Sequence, residues 1–209
     1  MQSIRRNEEA VSPVVGVMLM LVVTIIIAAV VSAFAGGLTG TTQAAPKASI
    51  DVQIKMEADD TMGGTNDVMT FTELSGDSIQ TKDLAIITYY VNQSGTVYKN
   101  KQTLTSSASQ LYNGSYYSSR LSRVPYLSDM RLGYSNGNTL TDFGNYTWKT
   151  GDILSTGTTA GTADLLAIND TATLHGIRDP NFGSGSVVDV KILHVPSGQY
   201  IFNKEVIVQ

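Results

Sequence analysis

The stretch that decides the fold is Ala10–Ala35, AVSPVVGVMLMLVVTIIIAAVVSAFA, preceded by the charged MQSIRRNEE and followed by no further charge until Lys47. As a helix it reaches about 39 Å, against the ~30 Å hydrocarbon core of a bilayer. Large apolar side chains fall on every side, so no polar stripe is left for water. Exposing roughly twenty of them at about 1.5–3 kcal/mol each costs tens of kcal/mol, beyond the ~5–15 kcal/mol stability of a domain. The segment therefore requires lipid, or copies of itself, around it.

Ser12 is a good N-cap, and Pro13 suits a first helical turn, where its missing N–H costs nothing. Many of the following residues are β-branched, which weakens a helix in water. In an apolar surrounding the backbone must pair internally, so helix wins over strand. Gly16, Ala28, Ala29, Ser32, Ala33 and Ala35 provide small surfaces that let a second helix approach. Arg5 and Arg6 favour a cytoplasmic N-terminus, which puts everything after Gly36 outside. Ala33-Phe34-Ala35 has the A-x-A form of a signal-peptidase site, but the apolar run is longer than the ~7–15 residues of a secretory signal. A retained single-pass anchor also fits the length and flanking charges.

At Arg5–Gly16, RRNEEAVSPVVG, charge stops abruptly before the apolar run. This junction resembles archaeal type IV pilins, in the branch whose precursors carry a short charged leader followed by VSPVVGV. The resemblance implies that a prepilin peptidase cuts on the cytoplasmic side, at Ala10-Val11 or at Glu9-Ala10, and leaves the helix in the mature protein. It implies a membrane-inserted precursor, a pilus assembly machinery and a helical homopolymer. The product is an extracellular filament at the cell surface, used for attachment. Val14, Val15, Gly16, Leu19, Leu21, Ile25, Ile26, Ala29 and Phe34 are then the helix-assembly positions. Bacterial relatives carry a glutamate five residues into the mature chain, where Val14 to Gly16 stand here; the archaeal branch commonly lacks that acid. An archaellum subunit shares the same plan. The expected organisation is a leader over 1–10, a transmembrane and filament-core helix over 11–35, a Gly/Thr-rich hinge over 36–46 and an extracellular head over 47–209.

From Lys47 onward the chain holds 12 basic and 16 acidic residues, an evenly mixed surface without the basic cluster that nucleic acid needs. There is no cysteine, so neither disulfides nor thiolate metal sites are available. Ile50, Val52, Ile54 and Met56 alternate with Asp51, Gln53 and Lys55, the period of a half-buried strand. Further strands are expected at Val68–Leu74, Leu84–Val91, Tyr146–Lys149, Leu165–Ile168 and Ala172–Ile177. Val187–Val195 and Gln199–Val208 flank Pro196-Ser197-Gly198 as a closing hairpin. Residues Lys99–Asn138, rich in Ser, Tyr and Asn, read as an elaborated loop. The expected fold is α+β: a long apolar N-terminal helix, then an all-β, immunoglobulin-like sandwich.

Two pieces of the head also resemble that pilin branch: Gly76-Asp77-Ser78-Ile79 with Asp83-Leu84, and Trp148-Lys149-Thr150-Gly151-Asp152. They read as turn-and-strand scaffolding, with glycine supplying positive φ and aspartate satisfying backbone N–H groups. His175 and His194 lie on separate expected strands without a catalytic motif, so no catalytic residue and no cofactor is assigned. Asp59, Asp60, Asn66 and Asp67 around Gly63-Gly64 offer hard oxygens, but their spacing is not that of an EF-hand, and no metal is assigned. Asn92, Asn113, Asn145 and Asn169 open N-x-S/T sequons and are the expected glycosylation sites. Tyrosines crowd the middle of the head, where strand packing and surface contact compete for them.

Overall fold

The computed structural model describes residues 13–38, 43–59, 65–114, 117–128, 139–169 and 176–209. The chain divides into two compact units, Met1–Thr42 and Gln43–Gln209.

The first unit contains helix α1, Pro13–Leu38. Pro13 stands at its first described turn, as its fixed φ favours. Thr24, a hydroxyl within the apolar run, donates to the Leu21 carbonyl at 2.9 Å and so satisfies its own donor within the helix. The helix runs through Gly36 and Gly37 to Leu38, three residues beyond the expected Ala35. Glycine costs only about 1 kcal/mol inside a helix, too little to end one that is already propagating.

The second unit is a two-layer β-sandwich. Its strands are β1 (Ala48–Asp59), β2 (Thr65–Gly76), β3 (Ile79–Gln80), β4 (Leu84–Val91), β5 (Val97–Gln102), β6 (Ser109–Gly114), β7 (Tyr117–Ser122), β8 (Tyr126–Leu127), β9 (Thr147–Trp148), β10 (Ile153–Ser155), β11 (Val187–His194) and β12 (Gln199–Ile207), with helix α2 (Thr159–Leu166) after β10. One sheet has the order β1-β2-β10-β8 and the other β12-β11-β4-β5; β3-β9 and β6-β7 form small pairs. All the described pairings between these strands are antiparallel. Alternation decides which face turns inward. Ile50, Val52 and Ile54 of β1 join Met69 and Phe71 of β2 and meet Ile86 of β4 and Val188, Val190 and Ile192 of β11 in one buried cluster. The layers are stitched at one edge, where Ile54 bridges Val208 in parallel, Met56 N–H donates to the Gln209 carbonyl and Gln209 N–H donates to the Ile54 carbonyl, both at 2.9 Å.

The α+β sandwich expected from the sequence is present, with two corrections. Leu165–Ile168 is not a strand: its first half ends α2, so the head is not all-β. Thr158 caps that helix, its hydroxyl accepting from Gly161 N–H at 3.1 Å, and Ala160, Ala163 and Leu166 recur at the helical interval with their side chains buried. A short run such as Leu-Leu-Ala-Ile has no period of its own, and the cap decides. Thr88 of β4 donates to the Leu165 carbonyl at 2.8 Å and holds the helix end on the sheet. The second correction concerns Lys99–Asn138, which is no simple loop. It contains most of β5 and all of β6, β7 and β8, and Leu127 of β8 enters the core. Of the strand expected at Ala172–Ile177, residues 172–175 lie outside the described residues, while Ile177 makes an isolated bridge with Asn169.

Candidate assembly helix and the head surface

Every described side chain from Pro13 to Phe34 is exposed, including fifteen large apolar ones, among them Val14, Leu19 and Phe34 at 65%, 66% and 68%. This span has a mean hydropathy of 3.2 and is long and apolar enough to cross a membrane. Val14, Val15, Gly16, Leu19, Leu21, Ile25, Ile26, Ala29 and Phe34 all lie within it. At about 100° per residue Val14, Leu21 and Ile25 share one line, Val15, Leu19 and Ile26 a second, and Gly16 and Phe34 a third. With Ala29 between the first two lines, the positions cover roughly 220° of the helix circumference. Ala10, Val11 and the capping Ser12 lie outside the described residues.

The two scaffold motifs of the head converge. Asp77 accepts from Lys47 N–H through Oδ2 and donates its own N–H to the Lys47 carbonyl, both at 2.9 Å. Asp152 accepts from Lys149 N–H at 3.0 Å through its side chain, and its carbonyl receives the Trp148 indole N–H at 3.2 Å. Gly76 has φ +135, and a Cβ there would land on the Lys47 carbonyl oxygen. Between these turns sits Glu73, fully buried, with both carboxylate oxygens unpartnered. Burial, and then the nearby carboxylates of Asp152 and Asp77, push its pKa up to about 7. The sequence carries no signal for this acid: it occupies an inward position of a strand that reads as ordinary alternation.

Of the other candidates, His194 is buried with Nδ1 2.8 Å from the Ser197 hydroxyl inside the β11–β12 turn. Asn66 Oδ1 accepts from Thr159 N–H at 3.3 Å and Asp67 Oδ1 from Glu57 N–H at 3.0 Å, so these oxygens hold backbone. Asp60 lies outside the described residues; among those described, no group of three acidic, His or Cys side chains is placed to hold a metal. Tyr90 is buried, stacked on Tyr98 at 5.9 Å and edge-on to Phe182 at 5.1 Å, and is thus core. Of the sequon asparagines, Asn92 lies in the β4–β5 turn and accepts from Ser94 and Thr96 N–H through Oδ1, which leaves its Nδ2 outside those bonds. Asn145 Nδ2 donates to the Thr139 carbonyl at 2.6 Å and Asn169 Nδ2 to Asp164 Oδ1 at 2.8 Å. Asn113 is on β6, its side chain outside the described ones.

The described chain thus presents an apolar helix long enough to cross a membrane, followed in sequence by a β-sandwich. Residues 9–50 match the family described as archaeal type IV pilin, N-terminal. A protein of Archaeoglobus fulgidus, described as uncharacterized, is 31% identical over 83 residues, which is 40% of this chain and 54% of that relative. The match thus spans about half the length of the curated relative. No solved structure matches the chain.

Proposed function

We propose that this chain is a structural pilin subunit that polymerises through α1 into an extracellular archaeal type IV pilus serving surface attachment. The observation that carries the reading is the helix exposed on every side, in a segment matching the archaeal pilin N-terminus. Such a surface is stable in lipid before assembly and against copies of itself afterwards, so apolar burial continues throughout. Close packing replaces acyl chains by side chains, with Gly16 and Ala29 giving the nearest approaches. Open head-to-tail association then yields a filament, not a ring. A prepilin peptidase acts at Ala10-Val11 or Glu9-Ala10, and Asn92, Asn113, Asn145 and Asn169 carry glycans on the outer sheath.

N-terminal analysis of native material, followed by electron microscopy of sheared surface fractions, tests the proposal. The expected results are a mature chain beginning at Val11 or Ala10, and filaments containing it. A chain that keeps its leader and sheds no filaments is a plain single-pass anchor. One that begins at Gly36 is a secreted head. Either result rejects the pilin reading.

A further inference from the structure

The outward face of β12-β11-β4-β5 carries an apolar row at one end. Val187 pairs with Ile207, and Val91 with Val97. The register Val188↔Tyr90 sets Val187 beside Val91. The row Ile207, Val187, Val91, Val97 therefore crosses all four strands, and each member is exposed, from 45% to 61%. Isolated exposed apolar residues need no explanation; four in register do.

The next row inward is charged and polarised. Glu205 pairs with Asp189, Asp189 with Tyr89, and Tyr89 with Lys99. Asp189 is neutralised on its own face by Lys191 at 2.9 Å. What remains is an exposed acid, Glu205, on one edge strand and exposed bases, Lys99 and Lys101, on the other.

We infer that this face docks on the same face of a second copy, about a two-fold axis running parallel to the strands between β11 and β4. That operation keeps rows level and exchanges edges. It lays the apolar row on itself, with Val187 opposite the partner's Val91 and Ile207 opposite the partner's Val97. It also places Glu205 over the partner's Lys99, twice. A two-fold axis across the strands sets Glu205 on the same edge as its own copy and loses both pairs. Charge complementarity thus selects both the occupant and the orientation.

The face is about 14 Å wide at ~4.8 Å per strand spacing and about 20–25 Å long, a few hundred Å² per head, below the ~800 Å² of a standard interface. Each contact is weak alone and gains by repetition. Subunits of a polar filament are related by screw operations, so an isologous contact joins heads of different filaments and bundles them. This last step rests on the polymerisation proposed above; pairing of heads does not.

The test is sedimentation equilibrium of Gln43–Gln209, a unit that holds the entire core cluster among its own residues. It is made without glycans and taken up to about 1 mM. The unaltered head shows a monomer–dimer equilibrium. Val91→Glu, Lys99→Glu and Glu205→Lys each weaken it at least about tenfold. An equimolar mixture of the Lys99→Glu and Glu205→Lys heads pairs again, because the exchanged charges meet; misfolded heads do not. A head that stays monomeric, variants that dimerise unchanged, or a mixture that fails to recover overturns the inference, while leaving assembly through α1 untouched.

Discussion

Replacing Glu73 by glutamine removes one buried charge and little volume, so it isolates what ionisation of that group does to the head. In the folded chain its pKa stands at about 7 rather than the usual 4.5, because the carboxyl is buried without a partner and faces Asp152 and Asp77. The folded state therefore holds the proton more tightly than the unfolded one, and stability falls as pH rises through this window. At ~1.36 kcal/mol per pH unit the full effect is about 3 kcal/mol, or roughly 2 kcal/mol once screening by nearby solvent is allowed for. In a domain of this size that corresponds to about 4–8 °C in Tm. Thermal melting of the wild-type and Glu73→Gln heads near about pH 5 and about pH 8 reads it directly. The variant gains on the wild type by that amount between the two conditions, since glutamine stays neutral at both. Other raised carboxyls, Asp142 and Asp164, titrate in both proteins and cancel. Parallel wild-type and variant curves would show that Glu73 is solvated or paired, and the reasoning would fail.

Gly76→Ala sets a methyl against the Lys47 carbonyl and within 2.6 Å of Ala48 Cα, at a φ of +135, and should cost roughly 2–4 kcal/mol in urea denaturation. Thr88→Val removes the donor to the Leu165 carbonyl but leaves Asn100 Nδ2 at 3.1 Å, so a loss of about 1 kcal/mol is expected. Combining it with Asn100→Ala strips that carbonyl of both side-chain donors and should exceed the sum of the single losses in a double-mutant cycle. Leu21→Arg in the middle of α1 adds about 2.5–3.5 kcal/mol to membrane insertion, and the chain should shift out of the membrane fraction on carbonate extraction.

The helix and the closing hairpin were legible because each announces itself over a long window: an uncharged run after Glu9, and two alternating strands around Pro196-Ser197-Gly198. The errors fell where the signal is short. At Leu165–Ile168 four apolar residues suit strand or helix equally, and the deciding evidence was a threonine cap seven residues upstream of Leu165. Between Lys99 and Leu127 polar residues hide the strands β5, β6 and β7, and β8 owes its pairing to a neighbour distant in sequence, where Leu127 joins Leu154. Glu73 and the cross-strand row on the second sheet were invisible for a related reason. Both depend on register, which sets Glu73 against Ile50 and aligns four residues drawn from four strands. The exposure of α1 was the opposite case, since a run that is apolar on every side follows from composition alone.

The clamp of Asp77 on Lys47 fixes where mechanical tension reaches the head. Any pull passed along the chain from α1 arrives at Lys47, where two hydrogen bonds must break before Ala48 can move: Lys47 N–H to the Asp77 carboxylate and Asp77 N–H to the Lys47 carbonyl. Behind them β1 is zipped along β2 and stitched at Ile54 and Met56 to the chain's last residues. The strand that receives the load is thus gripped on both edges, and peeling it away requires opening the sandwich where its two sheets meet.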